Sequence, residues 1–282
     1  MSASTLAFAE RREPSTISTA CTPLHHDEIV RFCEVFHREG FVRIPGIISG
    51  RAAALREKID RFFADERLVA SHHRNDDIVM VRMFELDEEF LDLLTAEPFI
   101  AIAEHLLGEQ CHLIAQNVVR NPPGRAIEQF HVDDELQIPL PEGVAGHDRR
   151  MQMPVFVFTI QILLSDVPDV AHGPTQFVPG SHYSGRIPND LGAPSWGGAG
   201  VQSILGKAGD IYLHNGQCWH RGAPNASDRT RYLLQHAYGR RWVAQRFYPF
   251  TGYTLPAHVS ERISQDPRAR RILGHHPKGA YG

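Results

Sequence analysis

The sequence predicts a mainly β protein with α additions, a double-sheet jelly roll that carries an N-terminal helical layer. Apolar residues in the first third recur at helical spacing, about eight short strand-like segments follow from His112, and Pro, Gly and Asn turns separate those segments. A chain of 282 residues suits one such unit with additions as well as two small ones. Its 29 Lys+Arg against 33 Asp+Glu, net charge -4, leave no basic excess of the kind that phosphate neutralisation requires, which disfavours nucleic acid as a partner. No apolar run approaches the ~20 residues of a membrane span. Cys21, Cys33, Cys111 and Cys218 are scattered without a C-x-x-C pair and read as free thiols. The first residues lack a secretory or mitochondrial pattern and the last ones a retention tail, so the cytoplasm is the expected compartment. Seventeen histidines are the least ordinary figure, because imidazole is the commonest metal ligand.

Residues 1–22, rich in Ser, Thr, Ala and charge, are expected to form a tail. From Asp27 to Arg38 the positions Ile29, Val30, Phe32, Cys33, Val35 and Phe36 predict a helix, with Asp27 as N-cap and Gly40 as stop. Phe41 to Pro45 reads as a short strand, Arg51–Phe63 and Pro98–Leu107 as helices, and residues 66–90 fit neither period. The strands expected next are 112–120, 127–133, 154–164, 174–178, 201–205, 210–214, 217–221 and 231–239. Thr159 and Gln161 share one face of an otherwise apolar strand and are candidate pocket lining, with solvent-facing polarity as the alternative. The Gly/Pro-rich stretch 185–200 is too long for a simple turn and is expected to be a lid or binding loop. A single domain over residues 23–263 is expected, with 264–282 as a peripheral basic tail.

Two side chains of the segment His131-Val132-Asp133 point to the same face of a strand, so an imidazole and a carboxylate can meet one cation. Such a short pattern arises by chance in a histidine-rich chain, and a second one, His25-His26-Asp27, is more simply a helix start. Context strengthens the first. Downstream, His220 and Arg231 flank the turn Pro224–Asp228, and a hairpin with its apex there would set them nearly opposite on neighbouring strands. An arginine beside a metal-binding histidine offers a bidentate fork for a carboxylate. His214 competes with His220 for the metal, but only His220 has an arginine at that offset, so His214 is expected either to be structural or to support the site from behind its ligands.

The ordered set His131-x-Asp133, Gly173-Pro-Thr-Gln-Phe-Val-Pro-Gly-Ser-His182, Gly209-Asp210, Trp219-His220-Arg221-x-x-Pro-Asn and Arg231 resembles the phytanoyl-CoA dioxygenase family, which includes ectoine hydroxylase and natural-product oxygenases. The likeness runs over about residues 26–245. It implies a double-stranded β-helix of cupin-like jelly-roll form, non-haem Fe(II), O2 and the cosubstrate 2-oxoglutarate. Carried over, His131, Asp133 and His220 would bind iron and Arg231 the far carboxylate of 2-oxoglutarate. Halogenating relatives have a small residue in place of the carboxylate; Asp133 therefore implies hydroxylation of a substrate C–H bond, with release of succinate and CO2. The chain departs from the pattern at His172-Gly173, where Asn-Gly is common, and near Gln161, where a tryptophan is common; both departures bear on the substrate pocket.

Further candidates for holding the cosubstrate are Asn121, which otherwise simply ends its strand, Gln129, on the strand face of His131, and Thr159. Arg82, Arg120 and Arg125 are candidate contacts for an anionic substrate, with solvation as the alternative. His182 is expected to be structural. The partner is a small-molecule substrate of unassigned identity, with neither nucleic acid nor membrane expected; nothing in the sequence indicates the oligomeric state. The competing readings are a cupin-like hydrolase or isomerase using zinc or manganese on the same two-His, one-Asp set, and a non-catalytic binding module. A hydrolase has no need of the Arg231 fork, and a degenerate module would be free to lose a ligand.

Overall fold

A computed structural model describes residues 21–73, 78–247 and 250–278. Its centre is a pair of antiparallel sheets. In chain order the elements are α1 (His26–Glu39), β1 (Phe41–Ile44), α2 (Ala52–Ala64), α3 (Glu66–His72), β2 (Val79–Val81), α4 (Glu88–Asp92), α5 (Phe99–Leu107), β3 (His112–Asn121) and β4 (Ile127–His131). They continue with β5 (Val157–Leu163), β6 (Thr175–Phe177), β7 (Gln202–Ser203), β8 (Ile211–Asn215), β9 (His220–Gly222), β10 (Arg231–Gly239), α6 (Ala257–Arg262) and α7 (Pro267–Ile272). The six-stranded sheet runs β1-β8-β5-β10-β3-β2 and the four-stranded sheet β4-β9-β6-β7. This is the jelly roll with a helical layer that the sequence predicts. Among the described residues no helix is long and apolar enough to cross a membrane.

The large sheet has two unlike faces because side chains alternate along each strand. Phe158, Ile160, Ile162, Ile211, Leu213, Leu234 and Tyr238 point outward and pack under α1, α2 and α5, in one buried core with Phe36, Ile59 and Phe99. Inward, the register lines up polar rows across the sheet: Asn117, Gln235, Gln161 and Tyr212 in one, Ala115, Ala237, Thr159, His214 and Phe41 in the next. That inner face looks at β6, where Phe177 stacks on Phe41 at 4.6 Å and meets the Tyr212 and His214 rings.

Helix α1 forms as its spacing dictates, with Ile29, Cys33 and Phe36 on the buried stripe. The Glu28 carboxylate accepts from the His25 N–H at 2.8 Å, so the cap is His25 and the expected cap Asp27 lies inside the first turn. Gly40 ends the helix at φ 86°, and a Cβ there would stand 2.7 Å from His182 Nδ1, so both conformation and space demand glycine. His182 and Tyr183 bond the carbonyl of His37, which staples α1 to the jelly roll and gives His182 its structural role.

Several expectations are corrected. Residues 66–90 hold α3, β2 and α4, and β2 adds a sixth strand to the large sheet. The segment after residue 264 is no peripheral tail. Ala269, Ile272 and Leu273 sit in the main core, Asp266 caps α7, and Arg271 donates to the Cys111 carbonyl at 2.7 Å and pairs with Glu104. At the other end, residues 1–20 of the expected tail lie outside the described residues, whereas Thr22 already bonds Ile47 and Gly46. The 185–200 stretch is tied to the small sheet at two points. The Leu191 carbonyl accepts from the Phe130 N–H at 3.0 Å, covering the open edge of β4, and Arg186 O accepts from the Trp219 indole at 2.8 Å. All four cysteines are free and buried.

Candidate metal centre

His131 closes β4 and His220 opens β9, and the two are directly paired across the small sheet. Asp133 follows just past the strand end. Its backbone N–H donates to Gly216 O at 2.7 Å, and a Cβ on Gly216 would stand 2.8 Å from Asp133 Cβ, so glycine is required there by close approach. One ligand atom from each of His131, Asp133 and His220 lies within 4.8 Å of the others. The Nε2 atoms of His220 and His131 stand 3.6 and 4.0 Å from Asp133 Oδ1.

Each imidazole is held by its other nitrogen. Nδ1 of His131 bonds Gln129 O at 3.0 Å and Nδ1 of His220 bonds Cys218 O at 2.8 Å. These carbonyls keep the proton on Nδ1 and leave the Nε2 lone pairs facing inward, as a cation requires. The side chains of His131 and Asp133 are 39% exposed and that of His220 8%, so the cluster opens to one side. Burial works to raise the Asp133 carboxyl, but His220 and His214 outweigh it and hold it well below the usual range. Burial, joined by His220, lowers His131. An ionised carboxylate beside a neutral imidazole is the state that binds a divalent cation.

Arg231 begins β10, paired in register with Asn121, and only 4% of it is exposed. One guanidinium nitrogen meets Thr175 Oγ1 at 3.3 Å, which in turn bonds the Tyr212 hydroxyl at 2.6 Å. Its Nε has no partner, and among the described residues no carboxylate pairs with it. Burial pulls its pKa down, the mark of a charge lacking a counter-ion. Asn121 Oδ1 beside it is also buried without a partner.

The structure corrects the hairpin reading of this pair. His220 is on the small sheet and Arg231 on the large one, because the chain crosses between sheets after Gly222. Arg231 instead reaches across the interior to Thr175, which pairs with Gly222, two residues along β9 from His220. A Cβ on Gly222 would stand 3.5 Å from the Arg231 guanidinium, which places Gly222 beside that group.

Other candidates divide. Thr159 is buried on the inner wall between His214 and Ala237, and Gln161 is bonded there by Gln235 at 3.0 Å. Gln129 is exposed, and its observed tie to the centre is its carbonyl. Arg82 and Arg120 are engaged elsewhere, with Glu85 and Asp60, and Arg125 is not free either. Sequence reasoning missed Thr175, Tyr212 and Gly222; alternation along 210–214 placed Tyr212 on the face of His214, but no spacing joins it to Thr175. His214 Nε2 lies 3.5 Å from Asp133 Oδ2, outside the metal-ligating set.

Comparison with known proteins bears on this geometry. The family model for phytanoyl-CoA dioxygenase (PhyH) matches residues 36–233. Dioxygenase af480 of Aspergillus fumigatus is 24% identical over 255 residues, which cover 84% of this chain and 74% of that protein. HygX from Streptomyces hygroscopicus, solved with nickel and 2-oxoglutarate, superposes with a TM-score of 0.56 at 16% identity, over 79% of this chain and 95% of its own. The α-ketoglutarate-dependent epimerase SnoN from nogalamycin biosynthesis gives 0.60 at 21% identity, over 82% and 93%. The carbocyclase SnoK of the same biosynthesis gives 0.56 at 21%, over 77% and 85%.

Proposed function

The chain belongs to the phytanoyl-CoA dioxygenase family, and we propose on that premise that it is a non-haem Fe(II)- and 2-oxoglutarate-dependent dioxygenase that hydroxylates a C–H bond of a small molecule. The observation that carries the reading is Arg231, a buried guanidinium without a counter-ion, reaching across the interior to the sheet that holds two members of a His/Asp/His set. Two histidines and a carboxylate with open positions suit Fe(II). A dicarboxylate that meets the metal at one end and Arg231 at the other satisfies both, whereas a hydrolytic zinc or manganese site leaves the arginine unexplained. HygX has been solved with hygromycin B and SnoN with a nogalamycin compound, which supports a small organic substrate. The catalytic domain takes in residues 23–263, and the docking of α7 extends it toward the C-terminus.

His131, Asp133 and His220 would hold the iron. When bound, iron and 2-oxoglutarate supply the oxidising chemistry, in which O2 places one oxygen in succinate and one in the product while CO2 leaves. The protein's own part is orientation. Arg231 and Thr175 receive the far carboxylate, with Tyr212 fixing the Thr175 hydroxyl, and Asn121 offers an unused acceptor beside them. Thr159, on the inner wall beside His214, is a further candidate for holding the cosubstrate, and Gln129 acts through its carbonyl on His131. Phe177 and Phe41, stacked behind His214, keep water from that wall of the centre.

The test is turnover of 2-oxoglutarate by the purified chain with Fe(II) in air. Succinate that requires both metal and cosubstrate is expected, and none from either alone. With a substrate in hand, a product heavier by one oxygen supports hydroxylation; unchanged mass, or loss of two hydrogens, assigns epimerisation or ring closure instead.

A further inference from the structure

We infer that His214 is a positioning residue, donating its Nε2–H to Oδ2 of Asp133 and so turning only Oδ1 toward the metal. The inference rests on the metal-centre reading above and adds a role for a fourth side chain. The two carboxylate oxygens of Asp133 have different neighbours: Oδ1 faces the Nε2 atoms of His220 and His131, and Oδ2 faces His214 at 3.5 Å. That separation is the long limit of a hydrogen bond, and a small turn of the carboxylate closes it.

His214 has no other employment. It is 2% exposed, neither ring nitrogen has a hydrogen-bond partner, and its ring meets Phe177 at 5.5 Å and His220 at 4.9 Å. Its neighbours across the sheet are Phe41 and Thr159. An aromatic hydrocarbon would pack there at lower cost than an imidazole left unsatisfied. The polar choice is explained by the one acceptor within reach. With Oδ2 held away, Asp133 would offer a metal one oxygen rather than two, keeping room at the site for a 2-oxo acid.

The test compares His214→Phe, which keeps a ring beside Phe177 but removes the donor, with His214→Gln, whose amide N–H reaches a similar point. Mn(II) affinity of the full chain is titrated, 2-oxoglutarate affinity of the Mn(II)-loaded chain is measured, and melting of the metal-free chain is followed. H214F is expected to bind Mn(II) about 10- to 100-fold more weakly and to lose 2-oxoglutarate affinity, with H214Q close to wild type. Metal-free H214F is expected to melt no lower than wild type, so that its weaker Mn(II) binding is not a loss of fold. Wild-type affinities in H214F, or H214Q as weak as H214F, overturn the inference while leaving the metal centre standing. A wild-type chain that takes up no Mn(II) overturns the metal-centre reading and this inference with it.

Discussion

The two faces of the six-stranded sheet are built from the same strands but differ in what they bury, hydrocarbon on one and a concentration of polar side chains on the other. The outer face is mainly apolar and covered by helices, and its few buried polar side chains are each bonded at least once, Tyr238 to Leu94 O at 2.8 Å and Gln116 to Phe90 O and His236, with Gln116 Oε1 and His236 Nδ1 left over. On the inner face, Arg231 Nε, Asn121 Oδ1 and both His214 nitrogens are buried without partners. Hydrophobic burial on one side stabilises the sheet, and unsatisfied groups on the other cost stability that a ligand pairing with them would restore. One face makes the fold and the other waits for chemistry.

The largest expected effect breaks the outer face. Phe158, fully buried against Phe36 and Tyr238, should cost about 3–5 kcal/mol when changed to Ala, because a cavity replaces the ring. Denaturant melts would show the loss, while the folded fraction keeps its 2-oxoglutarate affinity. Arg231→Met should do the reverse. Losing one partner of a buried charge pair costs about 2–5 kcal/mol, so the 2-oxoglutarate dissociation constant is expected to rise by about 30-fold or more in calorimetry. The metal-free variant should melt at or above the wild-type temperature, since a buried charge without a partner is gone.

A third effect is set by pH. Burial on the outer face, against Phe99, pushes His236 down from 6.5 to about 3. The unfolded chain takes up that proton near pH 6.5 and the folded one only near 3. Stability is therefore full above about 6.5 and falls with pH below it, by about 1.4 kcal/mol per unit, or about 2 kcal/mol at pH 5. Denaturant midpoints at pH 7 and 5 measure this, and His236→Phe should remove that share of the slope. The smallest effect sharpens the inner face: Gly216→Ala pushes on Asp133 Cβ and is expected to weaken metal binding about tenfold, some 1.4 kcal/mol, with little change in melting.

Helix α1 and strand β10 were legible because period and flanking turns agree, and the closeness of His131 and Asp133 because they are two residues apart, although Asp133 lies past the end of β4 and not on it. The error over His220 and Arg231 has a physical source. Eleven residues and a turn look like a hairpin, yet spacing carries no information about which sheet each strand joins. Strand β2 is three residues long, too short for a period. The docking of α7 was hidden by Arg268, Arg270 and Arg271, since Arg271 is buried through its pairing with Glu104 rather than by hydrophobicity. Thr175 and Tyr212 meet through tertiary contact alone.

The central claim is that His131, Asp133 and His220 hold iron in a position where 2-oxoglutarate chelates it. Anaerobic titration of the chain with Fe(II) and then 2-oxoglutarate, followed in visible absorption, tests it most directly. A weak metal-to-ligand charge-transfer band that needs both components is expected from wild type, absent from Asp133→Ala. No band from wild type, or one of equal strength from Asp133→Ala, would contradict it.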